Sequence, residues 1–335
     1  MFEFVTVGDP HIDAYNRFFA TEDDALDAQF EEIEKPFQYA VRHNVPHVVV
    51  LGDIGEHSTL SENGKRRLLQ LLIKYDGQLK IWIILGNHDW LKVGDHSMRL
   101  FALISKHCFR TVRVFETPEQ MDIDDVTVNF LPFPAKARLK GGPALNFAHL
   151  ELRNALRDNG HKVERGVKLE DDGDSWVIGH LHTYQKGPNF LYPGTGWQKN
   201  FGEKGPKGWC HCRAQLRDDG KKVEVTHTHI DGKPRLKLFN WKDATVKQLA
   251  TVSRDPRHLY KIVVAEGTEI PPALRSYPNV IEIRGVVARP ETEAPDQSTG
   301  DLDIHKPVLK SLGLDKAGRA IARSYMARAL KEIGA

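Results

Sequence analysis

Residue types that bind metal ions stand at the ends of five predicted strands. Each group follows a short apolar run that is typical of a buried strand, and a glycine directly precedes four of the five groups. The groups are Asp9 with His11, Asp53, Asn87 with His88 and Asp89, His149, and His180 with His182. Because the C-terminal ends of parallel strands meet at one edge of a sheet, these side chains are expected to converge there.

This set of carboxylate, amide and imidazole groups favours manganese, iron or zinc over calcium. Two divalent ions that share one carboxylate need about seven or eight such ligands, a number that the five groups can supply. Two ions about 3.5–4 Å apart can activate water and stabilise both oxygens of an in-line displacement at phosphorus. His88, next to the candidate ligand Asn87, would then be available as a general acid for the leaving oxygen.

Each group also has an ordinary explanation when it is taken alone. A Gly-Asp pair at a strand end is usually only a turn, and His180 with His182 alone would be a partly exposed pair. Five such groups in one chain, all at predicted strand ends, favour a metal centre over five separate turns.

The elements that would position these residues alternate between strands and helices over the first third of the chain. Apolar residues recur at helical spacing from Leu26 to Val41, and Pro36 predicts a kink or a local break in that helix. Further helices are predicted around 61–74 and 97–106. Later strands are predicted at 111–115, 126–131, 145–149, 175–179, 189–193, 209–216 and 222–230. We therefore predict the α/β class, with a mainly parallel sheet and a second sheet that form a β-sandwich flanked by helices.

Beyond this sandwich the pattern predicts smaller parts. Residues 233–256 are expected to be a connection with some helix, and 258–285 a strand, a short helix and a strand. The stretch "ARPETEAPDQSTG" has the composition of a linker. The predicted bounds are 1–232 for the main domain, 233–287 for a small α+β unit, 288–304 for the linker and 305–335 for a basic C-terminal helical segment.

The composition excludes several classes of protein. The chain has 335 residues, of which 40% are hydrophobic and 27% charged, as expected for a globular protein with a proper core. Three cysteines do not predict a disulfide framework, and a net charge of +2 predicts no overall attraction to nucleic acid. The start "MFEFVTVGDPHIDAY" does not resemble a signal peptide, and no apolar run is long enough for a membrane span. We expect a cytoplasmic protein.

The order of the motifs resembles one known family. D-x-H, GD, GNHD, a lone histidine and GHxH resemble the signature of the calcineurin-like metallophosphoesterases. Within them the chain is similar to the SbcD-type and meiotic-recombination-type double-strand-break repair nuclease subunits, including the T-even phage recombination endonuclease. The narrower resemblance rests on "FLYPGTGWQKNFGEKGPKGW" at 190–209, which is similar to their Y-P-G-S … F-G-E … K-G stretch. It covers roughly residues 1–216 and, more loosely, 258–285.

The resemblance implies a four-layer metallophosphoesterase fold and a two-metal site. One ion would bind Asp9, His11, Asp53 and His182, and the other Asp53, Asn87, His149 and His180, with His88 as the catalytic histidine. Manganese is the expected metal, with magnesium, iron or zinc as alternatives. The chain departs from the family at Glu56, where some relatives have a second catalytic histidine, and His57 comes one residue later. Ile12 and Asp13 also replace the usual Leu-Gly after D-x-H.

The resemblance further implies a two-metal-dependent DNA exonuclease and endonuclease in an ATPase-coupled recombination complex. Its expected partners are duplex DNA ends, single strands, an SMC-like coiled-coil ATPase and a second copy of the chain. The unit at 233–287 would cap the DNA, and the C-terminal segment would dock on the ATPase. A small-molecule phosphodiesterase or phosphatase of the same superfamily is the alternative, and a non-enzymatic scaffold would require lost ligands.

Local basic residues are the candidates for contact with DNA phosphates. They are Lys136, Arg138, Lys140, Lys199, Lys204 and Lys207, on predicted loops beside the metal-ligand segments. In "GWCHCRAQL" the two cysteines share one strand face, which predicts buried thiols rather than a zinc site. His227 and His229 also share a face and are expected to be a satisfied or exposed pair.

Overall fold

The computed structural model describes residues 1–14, 19–92, 94–135, 139, 141–203, 205–264 and 268–285. All described residues belong to one compact unit, and residues 286–335 lie outside the described residues. The predicted linker and the predicted C-terminal helical segment fall among residues 286–335 and stay predictions. Among the described residues, every helix is too short or too polar to cross a lipid bilayer.

The structure describes strands from Phe2 to Gly285, and helices separate several of them. In chain order they are β1 (Phe2–Val7), β2 (His47–Val50), β3 (Lys80–Ile84), β4 (Trp90–Lys92), β5 (Asp95–His96), β6 (Val112–Phe115), β7 (Glu119–Ile123), β8 (Val126–Leu131), β9 (Leu145–His149), β10 (Ser175–Gly179), β11 (Gln185–Lys186), β12 (Phe190–Tyr192), β13 (Gly208–Leu216), β14 (Val223–Asp231), β15 (Lys237–Ala244), β16 (His258–Val264) and β17 (Val280–Gly285). The described helices are α1 (Glu22–Ile33), α2 (Lys35–Arg42), α3 (Glu62–Tyr75), α4 (Arg99–His107) and α5 (Val246–Leu249), and a 3₁₀ turn spans Pro272–Ser276.

Two six-stranded sheets form the main part of the molecule. The first has the order β14-β13-β1-β2-β3-β6, in which β1, β2, β3 and β6 run parallel and β13 pairs with β1 antiparallel. The second has the order β11-β12-β10-β9-β8-β7, in which the four middle strands run parallel. This arrangement confirms the predicted α/β fold class.

Aromatic side chains fill the space between the two sheets. Phe4 of β1 meets Phe147 of β9 edge to face at 5.1 Å, and Phe115 stacks on Phe130 with ring centroids 3.8 Å apart. The sulfurs of "GWCHCRAQL" belong to the same buried cluster, as the strand alternation predicts. The other face of the first sheet packs against α1 to α4 through a second cluster. Fixed aromatic packing of this kind makes the two sheets a rigid support for the loops at their ends.

The helix predicted from Leu26 to Val41 divides where the sequence predicts it. α1 ends at Ile33, and α2 begins at Lys35, so that Pro36 lies in the first turn of a new helix, where it costs no hydrogen bond. The Thr21 side chain accepts a hydrogen bond from the backbone N–H of Asp24 at 3.1 Å and caps α1.

A separate three-stranded sheet follows the main sheets along the chain. β15, β16 and β17 run parallel in that order, with a cluster of their own around Tyr260 and Ile262. The prediction of a connection with some helix at 233–256 was wrong over Lys237–Ala244, which is a strand. Lysines and an asparagine in "KLFNWKDA" hide the strand pattern, but Phe239 stacks on Tyr260 with ring centroids 4.8 Å apart. The domain bounds themselves stay a prediction.

Candidate metal centre

The predicted site residues lie where the C-terminal ends of the two sheets meet. In the first sheet, Asp9 and His11 follow β1, Asp53 follows β2, and Asn87 and His88 follow β3; in the second, His149 ends β9, and His180 and His182 follow β10. Hydrogen bonds join the two sets directly. The backbone N–H of His180 donates to Asp9 Oδ1 at 2.9 Å, and the His149 Nδ1 lies 2.7 Å from the carbonyl oxygen of Leu51.

One group of polar atoms surrounds the Nε2 atoms of His11 and His182. These two Nε2 atoms lie 3.1 Å apart, and His11 Nε2 lies 3.9 Å from Asp53 Oδ2. Asp9, His11 and His182 are each no more than 6% exposed. The structure therefore brings together His11, Asp53 and His182, three of the four residues expected to bind one ion. The fourth, Asp9, has its Oδ1 3.6 Å from His149 Nδ1.

A second group surrounds the amide oxygen of Asn87. Asn87 Oδ1 lies 3.0 Å from His149 Nε2 and 2.8 Å from His180 Nδ1. His149 Nε2 also lies 3.3 Å from Asp53 Oδ1. Asp53, His149 and His180 can present one ligand atom each within 4.8 Å of one another, which is close enough to hold a metal ion. Asp53 thus faces both groups, with one carboxylate oxygen directed at each.

The hydrogen-bonding chemistry of these atoms fits bound cations. His182 Nδ1 lies 2.9 Å from Glu203 Oε1, and a carboxylate can only accept. This Nδ1 therefore carries a hydrogen, and in the neutral ring the Nε2 of His182 presents a lone pair to His11 Nε2. A lone pair on His11 Nε2, 3.1 Å away, would repel it unless a proton or a metal ion lay between them. Asp9 Oδ2 is also buried, without a hydrogen-bond partner among the described residues.

The backbone around these residues is strained. Asp9, His11, Asp53 and His180 have φ angles of 42°, 45°, 49° and 91°, in a region that side chains other than glycine rarely adopt. Such conformations cost about 1–3 kcal/mol each and persist only where the surroundings enforce them. At Gly86 even a Cβ atom would lie 2.2 Å from the backbone nitrogen and Oδ1 of Asp53. The glycines before the candidate ligands are therefore required by close approach of the backbone.

A buried carboxylate of the third group, to which the sequence assigned no metal ion, holds two of these loops together. Asp89 is fully buried, and its Oδ1 accepts hydrogen bonds from the backbone N–H groups of Ile54 and Gly55 at 2.9 and 3.3 Å. Its Oδ2 accepts from Gly86 N at 2.7 Å. Burial raises the pKa of Asp89 to about 7, and the nearby Asp53 carboxylate adds to this rise. Asp89 therefore supports the Asp53 and Asn87 loops from behind.

Four further carboxylates lie close to ring nitrogens of His11, His180 and His182. Glu56 contacts His11, Glu151 lies 3.5 Å from His180 Nε2, and Asp158 and Glu203 both contact His182. Sequence reasoning did not identify these contacts, because the partners are 21 to 45 positions apart in the chain. Glu203 lies in the "FGE" of the stretch at 190–209, and Glu56 stands where some relatives have a second catalytic histidine, but neither pattern predicts which histidine the carboxylate contacts. Such outer partners orient metal-binding histidines and select their tautomer.

Burial and charge shift the pKa values at the site in opposite directions. Burial raises the pKa of Asp9 to about 6 and lowers that of His11 to about 4. Burial also opposes the charge on His182, but Asp158 and Glu203 outweigh it and raise its pKa to about 10. Burial similarly opposes the charged form of His149, yet Asp53 and Asp9 raise its pKa to about 9. Because a ligand imidazole must be neutral, metal binding competes with protons on His149 and His182.

His88 lies beside these groups and is held by its own backbone and ring. Its backbone N–H donates to Asp53 Oδ1 at 2.8 Å, and its Nδ1 lies 2.6 Å from the carbonyl oxygen of Glu56. Because a carbonyl only accepts, Nδ1 carries a hydrogen and Nε2 is the ring atom available for proton exchange. The ring meets that of His11 edge to face at 5.1 Å.

Of the six residues predicted to contact DNA, the structure describes Lys199 and Lys207. Lys136, Arg138, Lys140 and Lys204 lie outside the described residues. Lys199 Nζ lies 3.0 Å from Glu56 Oε2 and 3.4 Å from both ring nitrogens of His11, inside the site. Lys207 is 6% exposed and donates to Glu203, to Thr195 Oγ1 and to the carbonyl of His182. Its ammonium is used within the protein, which corrects the expectation that it contacts DNA.

The comparison with protein families gives a match over this part of the chain. The family model described as calcineurin-like phosphoesterase matches residues 2–184, which is more than half of the 335 residues. The chain therefore belongs to the calcineurin-like phosphoesterase family. Membership of this family implies metal-dependent hydrolysis of phosphoesters. Among the described residues, three groups lie close enough together to hold a metal ion: His11 with Glu56 and His88, Asp53 with His149 and His180, and Asp158 with His182 and Glu203. No curated protein sequence matches the chain significantly.

The position of Asp53 between the two groups yields a test of metal binding. We expect Mn²⁺ to raise the unfolding temperature of the protein, because an ion that binds only the folded chain stabilises it by mass action. Asp53→Asn should remove most of this increase, whereas Asp125→Asn, at an exposed carboxylate away from the site, should keep it. Thermal unfolding with and without Mn²⁺ measures both. An equal increase in Asp53→Asn would show that this carboxylate is not a ligand.

Proposed function

We propose that this calcineurin-like phosphoesterase is a two-metal-dependent DNA nuclease that hydrolyses phosphodiester bonds. The proposed ligands are Asp9, His11, Asp53 and His182 for one ion, and Asp53, Asn87, His149 and His180 for the other. Manganese is the proposed metal. When bound, the ions would supply an activated water and positive charge for the phosphate oxygens. His88 is proposed to protonate the leaving oxygen from Nε2, since its Nδ1 is occupied by the Glu56 carbonyl.

The shape of the space beside the candidate ligands is the observation that favours a polymeric substrate. One cavity of about 380 Å³ is lined by His88, His182 and Lys199, and a second of about 370 Å³ by Asn87, Phe133 and Arg165. Both cavities are also lined by Glu151 and His180. The site therefore opens to two sides, which gives room for a chain that continues beyond the scissile phosphate. A phosphate monoester would need only one of these spaces.

Two basic side chains lie in this space among four carboxylates, and they are the candidates for contact with a polyanion. Lys199 and Arg157 both line the first cavity, where they pair with Glu56 and Glu151. Lysine and arginine side chains at such positions contact phosphate oxygens of nucleic acids. Lys199, whose side chain is 13% exposed, lies nearest to the candidate ligands, so we propose that it contacts the scissile phosphate.

The proposal extends to partners through the resemblance of residues 190–209 to SbcD-type nucleases. On this basis we propose that the protein acts in the cytoplasm as a homodimer with an SMC-like coiled-coil ATPase, on duplex ends and single strands of DNA. A small-molecule phosphodiesterase of the same family is the alternative, and its site would need no second cavity.

The substrate class can be tested with two substrates in parallel. End-labelled linear duplex DNA should lose its label when Mn²⁺ is added, and a chromogenic small phosphodiester should be cleaved more slowly. Asp53→Ala should remove both activities, which excludes a contaminating nuclease. Cleavage of the small ester with DNA untouched, at low salt as well, would contradict the nuclease proposal and favour the alternative.

The role of His88 makes a second prediction. His88→Ala should lower turnover by about 10²–10⁴-fold, the usual contribution of general acid catalysis, because the leaving oxygen loses its proton donor. Mn²⁺ affinity, measured by calorimetry, should stay near that of the wild type. His107→Ala, at an exposed histidine of α4, is the control. Full turnover in His88→Ala would remove this residue from the mechanism.

The role of Lys199 makes a third prediction. Lys199→Met should lower kcat on DNA by roughly 100-fold, as expected when one group that stabilises transition-state charge is lost. Lys199→Arg should keep part of the rate, and Lys65→Met, which removes a lysine paired with Glu62 outside the site, should keep all of it. A loss of Mn²⁺ affinity with unchanged kcat at saturating metal would instead assign Lys199 to support of the ligands.

A further inference from the structure

One buried carboxylate in the segment between β12 and β13 receives an unusual number of donors. Glu203 is 4% exposed, and its Oε1 lies 2.9 Å from His182 Nδ1 and 3.1 Å from the backbone nitrogen of Asn200. Its Oε2 accepts from Lys199 N at 3.1 Å and from Lys207 Nζ at 2.6 Å. Burial of a carboxylate costs free energy unless such donors replace water. The number of donors around Glu203 therefore points to a role for the carboxylate at this position.

The ammonium of Lys207, which donates to Glu203, also contacts His182. Lys207 also donates to the carbonyl oxygen of His182 and to Thr195 Oγ1, each at 3.0 Å. The pair therefore contacts His182 twice, once at its ring through Glu203 and once at its backbone through Lys207. The ammonium balances the carboxylate charge, which lets Glu203 act as an acceptor without leaving an unpaired buried charge.

The consequence for His182 follows from its ring chemistry. A carboxylate at Nδ1 requires a hydrogen on that nitrogen, so Nε2 of the neutral ring carries the lone pair. Nε2 is the atom that lies 3.1 Å from His11 Nε2, within the first candidate ligand group. Without an acceptor at Nδ1, the ring could take the other tautomer or rotate away.

We propose that Glu203, balanced by Lys207, is a positioning residue that fixes the tautomer and orientation of His182 for the ion on the His11 side. The same carboxylate holds the backbone of Lys199 and Asn200, and thereby the segment that brings the Lys199 ammonium to Glu56. Asp158 assists from the more exposed side, with Oδ2 3.1 Å from His182 Nδ1. The proposal rests on the metal centre of the proposed function and does not depend on DNA as the substrate.

Manganese binding to the whole chain, measured by titration calorimetry, tests this role without an activity assay. Glu203→Gln should weaken one of the two Mn²⁺ ions by roughly 10–100-fold, the usual effect of removing an outer partner of a ligand, and leave the other near its wild-type affinity. Wild type that binds no Mn²⁺ would contradict the metal centre itself, whereas native affinity of both ions in Glu203→Gln would contradict only the role of Glu203.

Two variants separate positioning from stability. Glu32→Gln is the matched control, because Glu32 is a buried carboxylate paired with Lys35 outside the site, and it should leave both Mn²⁺ affinities unchanged. The double variant Glu203→Gln with Lys207→Met removes both buried charges together, which folded proteins often tolerate, and it should still lose the one affinity. The same loss in Glu32→Gln, or failure of both Glu203 variants to fold, would assign the pair to stability and overturn the proposal.

Discussion

Carboxylate oxygens and imidazole nitrogens face one another across the edge of the two sheets, and this arrangement governs the rest of the site. The Nε2 atoms of His11 and His182 lie 3.1 Å apart, and the oxygens of Asp53 lie between them and His149. Such groups repel in a dry interior unless positive charge lies among them. Protons can supply this charge, as the raised pKa values of His149 and His182 indicate, and divalent ions can supply it in their place.

The fold can hold this repulsive arrangement because its supports are rigid and lie outside the site. Aromatic packing fixes the two sheets relative to each other, so that loops from β1, β2, β3, β9 and β10 meet at a constant distance. Asp89 ties together the loops that carry Asp53 and Asn87, and Glu203 orients His182. The left-handed backbone at Asp9, His11 and Asp53 is a cost that these contacts sustain.

The sequence was informative where a local pattern is clear, and it failed at Lys237–Ala244, where polar residues hide the strand pattern. Strand alternation, the break before Pro36 and the polar residues at strand ends all depend on neighbours a few positions apart, and the structure places them as the pattern predicts. The second set of carboxylates could not be found in this way, since Glu56, Asp158 and Glu203 act on histidines far away in the chain. Lys207 shows the same limit, because an apparently exposed loop lysine is buried by contacts with His182 and Thr195.

The position of Asp53 makes the shared carboxylate the central claim, and electron paramagnetic resonance of the manganese-loaded protein tests it most directly. Two Mn²⁺ ions bridged by one carboxylate are close enough for their spins to couple. If Asp53 is shared, a spectrum of exchange-coupled ions should appear as the second equivalent of manganese is added. A spectrum of isolated six-line ions at full loading, or binding of a single ion, would contradict the shared carboxylate.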